Sequence, residues 1–179
     1  MTIEIADHDP RWPALAAESI SELMDALPGV FARIEHFGST SVPGLAAKPV
    51  IDLMAGVTDL DDVTDRLHKE LPALGYRYLD VGMAGRLFFP KDQEGRRTHH
   101  LHVVPLDSIP TRNEIILRDY LRRRPQDAAR YGALKRAIAA ELGGADSLEY
   151  TRRKTDLVQE LVDAARAERG LPSVPVWEE

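Results

Sequence analysis

Residues 31–57 constrain the fold of this chain more than any other stretch. Residues 31–37 (FARIEHF) read as a strand leading into the turn Gly38-Ser39-Thr40, and Pro43-Gly44 marks a further bend. A second strand follows over residues 49–57 (PVIDLMAGV), with one acid, Asp52, between Ile51 and Leu53. A carboxylate in an apolar strand is costly to bury unless it is paired or metal-bound. Glycine at the turn permits close approach of the backbone to a ligand. Ser39, Thr40 and Ser41 offer hydroxyls and N–H groups as a cradle for phosphate oxygens. Lys48 adds a cation just before the second strand. The plainer reading is a capping serine and a solvent-facing acid, but polar groups at this density at strand ends are an odd choice for a passive surface.

The rest of the chain reads around that segment. Residues 3–6 are expected as a short strand, and Asp9-Pro10 as an N-cap with proline in the first helical position. Trp12, Leu15, Ala16, Ile20, Leu23 and Leu27 follow at helical spacing, and Pro28-Gly29 stops that helix. Leu60, Val63, Leu67 and Leu71 form a second helical stripe ending near Gly75. Residues 76–79 and 86–90 are strand candidates, and the polar turn KDQEG returns the chain into a strand over residues 97–105. From Thr111 the pattern becomes helical, over residues 113–124, 126–142 and 147–169, punctuated by Pro125 and Gly143-Gly144. Ile115, Leu117, Leu121, Leu134, Ile138 and Leu142 read as core. The expected architecture is α/β (α+β), a mixed β-sheet with packed helices and a helical C-terminal half. Residues 1–170 read as one domain, sheet-rich over 1–110 and helical over 111–170, with a flexible or extended tail at 171–179.

Composition narrows the function classes. A chain of 179 residues suits one core. With 44% hydrophobic and 29% charged residues, it is expected to be globular. The net charge of −6 argues against a broad basic face for duplex nucleic acid or an anionic membrane, yet leaves room for a local basic pocket. Cysteine is absent, so disulfides, thiolate zinc sites and cysteine nucleophiles are excluded. The acidic N-terminus lacks the apolar region of a signal peptide, and no run reaches the length of a membrane span. The expected compartment is the cytoplasm. No kinase P-loop motif is present.

The segment HFGSTSVPGLAAKPVIDL resembles the signature of the GrpB family. The likeness continues through DHDPRWPALA, GRLFFPKD, RRTHHLHVV, LRDYLRRRPQDAARYGALKRAIA and YTRRKTDLV. That family is similar in turn to the DNA-polymerase-beta-type nucleotidyltransferase superfamily. The superfamily pattern is a glycine-serine turn, a spacer, then a strand with an acid, a hydrophobic residue and a second acid. Gly38-Ser39 and Asp52 match it, but the second acid position is Met54, which is no useful ligand for Mg²⁺.

The resemblance implies a nucleotidyltransferase-like protein that transfers a nucleotidyl group to an acceptor through divalent metal, Mg²⁺ or Mn²⁺. Its partner is expected to be a nucleotide or another phosphorylated small molecule. Asp52, Ser39 and Lys48 are then the candidate catalytic residues. Gly38, Thr40, Ser41, Arg86, Arg118, Lys135, Tyr150 and Lys154 are the candidate substrate-binding residues. Arg86 follows two glycines that leave room for a ligand. Arg118 and Arg122, and likewise Tyr150 and Lys154, share helical faces by i,i+4 spacing. The run Arg122-Arg123-Arg124 also reads as a solvated helix end, and Asp119 as an arginine partner.

His100 and His102 fall on one strand face and His99 on the other. With Asp52 they could form a two-histidine, one-carboxylate site for a transition metal such as Zn²⁺, joined by Glu35 or His36, which would run other metal-dependent chemistry. The alternative is a hydrogen-bonded histidine pair that shapes the pocket floor. Two other functions stay open: a non-catalytic ligand-binding regulatory or chaperone-like module, as in the related domains fused to dephospho-CoA kinases, and a scaffold without ligand.

Overall fold

In the computed structural model, which describes residues 4–142 and 147–176, four strands form one mixed sheet. They are β1 (Arg33–Phe37), β2 (Ile51–Val57), β3 (Leu87–Gln93) and β4 (Arg96–Pro105), in the order β1-β2-β4-β3. β1 pairs antiparallel with β2, β2 parallel with β4, and β3 antiparallel with β4. The register sets Asp52 between Phe37 and His100, and Met54 between Glu35 and His102.

Alternation of side chains gives this sheet two unlike faces. On one, Ile51, Leu53, Ala55, Leu101, Val103 and Phe89 pack against α1 (Trp12–Ala26) and α2 (Leu60–Glu70) in the main core. Asp59 caps α2 by accepting the Asp61 N–H at 2.8 Å. Asp61 and Asp62 in its first turn, with His68 and Lys69 in its last, complement the helix dipole. On the other face Met54 joins Phe37, Val104, Ile109 and Ile115, the last from α3 (Asn113–Arg123).

The helical half adds α4 (Pro125–Leu142) and α5 (Ser147–Glu168). Ile116, Leu121, Tyr131, Leu161 and Ala165 form its own core, into which Val42 and Leu45 of the segment after β1 insert. Ile138 and Tyr150 form a smaller cluster with Leu134 and Leu142. The expected stripe of apolar residues in this half therefore does pack as core. Residues 171–176 lie along α5, where the Gln159 amide bonds the Val174 carbonyl and the Val176 N–H. No described helix is long and apolar enough to cross a membrane.

The structure corrects several local readings. The first helix starts at Trp12, not Pro10: the Trp12 N–H reaches back to the Asp9 carbonyl at 3.1 Å, and Asp9's carboxylate is occupied by Arg11. Residues 76–79 form no strand. They flank the edge of β3 through one bridge, Tyr76 to Lys91, and bonds from Arg77 N to Pro90 O and Leu79 N to Phe88 O. The expected turn KDQEG shrinks to Glu94-Gly95, both at positive φ, as a two-residue hairpin requires. Of the expected strand at residues 3–6, the described part forms one bridge, Ala6 to Ala47. Residue 3 and Gly143-Gly144 lie outside the described residues.

Candidate functional site

The site begins where the turn after β1 meets Asp52. Gly38 has φ 70, and a Cβ on it would lie 2.3 Å from Asp52 Oδ2. Only glycine lets the chain pass the carboxylate this closely. The next residues, Ser39–Ser41, make a short 3-10 turn closed by Ser41 Oγ donating to the Gly38 carbonyl at 2.6 Å. Thr40 Oγ1 bonds His36 Nε2 at 2.8 Å, and burial lowers the His36 pKa to about 4. Ser41 and Thr40 thus build the turn, whereas the Ser39 hydroxyl accepts from Lys135 Nζ at 2.8 Å.

A cavity of about 310 Å³ opens between this turn, the near ends of β2 and β4, and helices α4 and α5. The sheet side contributes Ser39, Lys48, Asp52 and His100, and the helices contribute Tyr131, Lys135, Tyr150 and Lys154. Each helix presents a tyrosine and a lysine one turn apart, which the i,i+4 spacing places on one face. Lys135 Nζ sits 4.4 Å from the Tyr131 ring centre, and Lys48 and Lys154 share the Tyr150 ring at 4.4 and 5.2 Å. Such contacts hold an ammonium without neutralising it.

The electrostatics are lopsided. Lys135 is 2% exposed, and burial, reinforced by Lys154, lowers its pKa to about 7. Burial also lowers Lys154 and Lys48, the latter with help from Lys154. Burial raises Tyr131 to about 12 and Tyr150 as well, so both phenols keep their protons near neutrality. Asp52 is the one carboxylate among the described lining residues. Three lysines facing one acid make a cavity for an anion.

Asp52, His100 and His102 offer ligand atoms within 4.8 Å of one another. Both nitrogens of His100 and the Nδ1 of His102 are already engaged. Arginine only donates, so Arg97 Nη1, 3.3 Å from His100 Nε2, fixes the tautomer in which His100 Nδ1–H donates to Asp52 Oδ1 at 2.9 Å. Arg86 Nη1 likewise donates to His102 Nδ1 at 3.2 Å. Burial, then Arg86, lowers the His102 pKa to about 3. The position of the second acid is Met54, 0% exposed in the core. One carboxylate does not fit a pair of Mg²⁺ ions, which take oxygen ligands. A single transition ion on His100 would have to displace Arg97 from Nε2 or break the Nδ1 bond to Asp52.

The remaining candidates lie apart from the cavity. Arg86 stands behind His102 and bonds Glu114 at 2.5 Å. Arg118 holds Glu35 at 2.6 Å and the His36 carbonyl at 3.1 Å, and Arg122 holds the Ser41 carbonyl at 3.0 Å. Together they brace α3 against the turn. Asp119 pairs with Arg118 and Arg169, away from the cavity lining. Glu35 and His36 make these bonds rather than joining the Asp-His group. Sequence reasoning missed Tyr131 and Arg97. Tyr131 carried a signal, since it precedes Lys135 by the spacing that links Tyr150 to Lys154; Arg97 carried none.

The family model described as GrpB protein matches residues 2–164. A UPF0157 protein of Pseudomonas aeruginosa is 38% identical over 179 residues, covering 96% of this chain and 71% of that protein. The crystal structure of conserved protein GrpB from Enterococcus faecalis superposes with a TM-score of 0.85 at 30% identity, covering 93% of this chain and 99% of that one. Terminal uridylyl transferase 4 from Trypanosoma brucei with bound UTP superposes with a TM-score of 0.51 at 17% identity, covering 95% of this chain and 54% of that one. At that identity the likeness is one of fold, and the fold is nucleotidyltransferase-like.

Proposed function

The chain belongs to the GrpB family, and from that premise we propose that it binds a nucleotide or another phosphorylated small molecule in the cavity between the sheet and α4–α5. The observation that carries this reading is the convergence of Lys48, Lys135, Lys154 and the Ser39 hydroxyl on one cavity with a single acid among its described lining residues. Phosphate oxygens accept from ammonium and hydroxyl donors, and charge-assisted bonds of this kind are the strong ones. The Ser39 turn supplies the close backbone, and buried Lys135 with half-buried Lys48 and Lys154 supplies charge where water screens it least.

A second reading, transfer of a nucleotidyl group, is favoured by one observation. Asp52 is oriented by His100 at the same cavity as the lysines. In that reaction the acceptor hydroxyl gives its proton to Asp52, its oxygen bonds the α-phosphorus, and the bond to pyrophosphate breaks. The lysines then stabilise the departing charge.

One experiment tests both. Purified protein and its Asp52→Ala variant are incubated with labelled ATP, GTP, CTP and UTP, with Mg²⁺, with Mn²⁺ and in EDTA. Saturable binding without pyrophosphate release supports the binding reading. Release that depends on Asp52 establishes transfer. Neither binding nor release with any nucleotide sinks both.

A further inference from the structure

The ratio of one acid to three lysines bears on the form in which a polyphosphate can enter the cavity. A divalent ion carried on the phosphates is usually held by one or two carboxylates of the protein as well, and it must tolerate the charges around it. Asp52 Oδ1 is taken by His100, and Oδ2 abuts Gly38 so closely that a methyl group would not fit between them. The second acid position is the buried Met54. Behind the histidines Arg86 and Arg97 are each paired with an acid, Glu114 and Asp92, while Lys135 and Lys154 face Asp52 across the cavity and Lys48 flanks it on the sheet side. The three ammonium groups repel a dication. A metal ion on the phosphates would also cancel the very charges that the lysines are placed to neutralise.

We infer that Lys48, Lys135 and Lys154 take the place of the divalent ion, and that the cleft receives its polyphosphate ligand in metal-free form. This rests on the phosphate-binding reading above and adds the ligand's chemical state. Asp52 then opposes the ligand instead of bridging it through metal. That reverses the sign expected for its removal.

The test is calorimetric titration of the full chain with ATP and with inorganic tripolyphosphate, in EDTA and in excess Mg²⁺. Both probes bind in EDTA, and excess Mg²⁺ weakens binding by about tenfold. Asp52→Asn, nearly isosteric, tightens binding in EDTA by about threefold or more. Lys154→Met weakens it by about tenfold, and Lys48→Met, at a half-buried position, serves if the first variant fails to fold by circular dichroism. Binding that needs Mg²⁺ or Mn²⁺ and disappears in Asp52→Asn overturns the inference while leaving the phosphate-binding reading intact. No binding of either probe in any condition overturns that reading, and the inference with it.

Discussion

Replacing Lys135 by methionine removes the most deeply buried cation of the cleft while nearly keeping its volume. In the folded chain this ammonium titrates at about 7 because burial opposes its charge, against an ordinary value of 10.5. Between those values the unfolded chain holds a proton that the folded chain has released. Stability therefore rises with pH across that window, and below it the full cost of burying the charge is present and constant. Each pH unit inside the window adds about 1.4 kcal/mol, so raising the pH from 7 to 9 stabilises the wild type by about 2–3 kcal/mol through this group alone. Lys135→Met has no such dependence, and every other titrating group is common to both proteins. The variant also loses the bond to Ser39 Oγ, worth about 1 kcal/mol. Urea unfolding of both proteins at pH 6, 7, 8 and 9 gives the difference directly. The variant is the more stable protein at pH 6 and loses most of that advantage by pH 9. Parallel profiles would refute the argument that burial holds this amine down.

Further outcomes follow from the same geometry. The affinity for tripolyphosphate falls as pH rises from 7 to 9, because binding needs Lys135 charged; calorimetry in buffers of different ionisation heat should show net proton uptake. Gly38→Ala forces a methyl group onto Asp52 at a left-handed backbone position, destabilising the protein by about 1–3 kcal/mol and abolishing ligand binding. Gly29→Ala, at similar φ but in open space, leaves binding unchanged. Met54→Asp, which restores the second acid of the superfamily pattern, buries a charge in the core; thermal melts should show a loss of about 3 kcal/mol or more and calorimetry no gain in Mg²⁺ affinity. Arg118→Met leaves Glu35 to Arg33 alone and frees the His36 carbonyl, lowering stability by about 1–3 kcal/mol in urea titration.

Much of the fold was legible because its signals are local. The helical stripes of the second half and the strands around Asp52 follow from periodicity, and the apolar residues singled out there do enter the core. One misreading falls where tertiary contacts decide. Residues 76–79 have strand-like composition but border β3 without joining it. The miss at Asp9 is local: its carboxylate takes the N–H and guanidinium of Arg11, one residue before the helix. The site divides in the same way. Gly38, Ser39 and Asp52 stand out within one short segment, and Lys135 and Lys154 were reached only through the family resemblance. That these two face Asp52 across one cavity depends on how α4 and α5 dock, which no spacing reveals. Nor does any local pattern show that Arg97 and Arg86 occupy the histidines, since those bonds join residues whose proximity the sheet alone creates.

The cavity lies along a seam. On one side is the sheet with its own core, on the other the helical half with another, and Lys135 to Ser39 is a bond across the joint. Lys154 opposes the charge of both Lys135 and Lys48, so the joint closes against its own electrostatics. A polyanion seated there turns that repulsion into a clamp. At a hundred times its dissociation constant, a ligand that binds only the folded chain adds about 2.7 kcal/mol. On the phosphate-binding reading, that energy falls on the junction between the two cores.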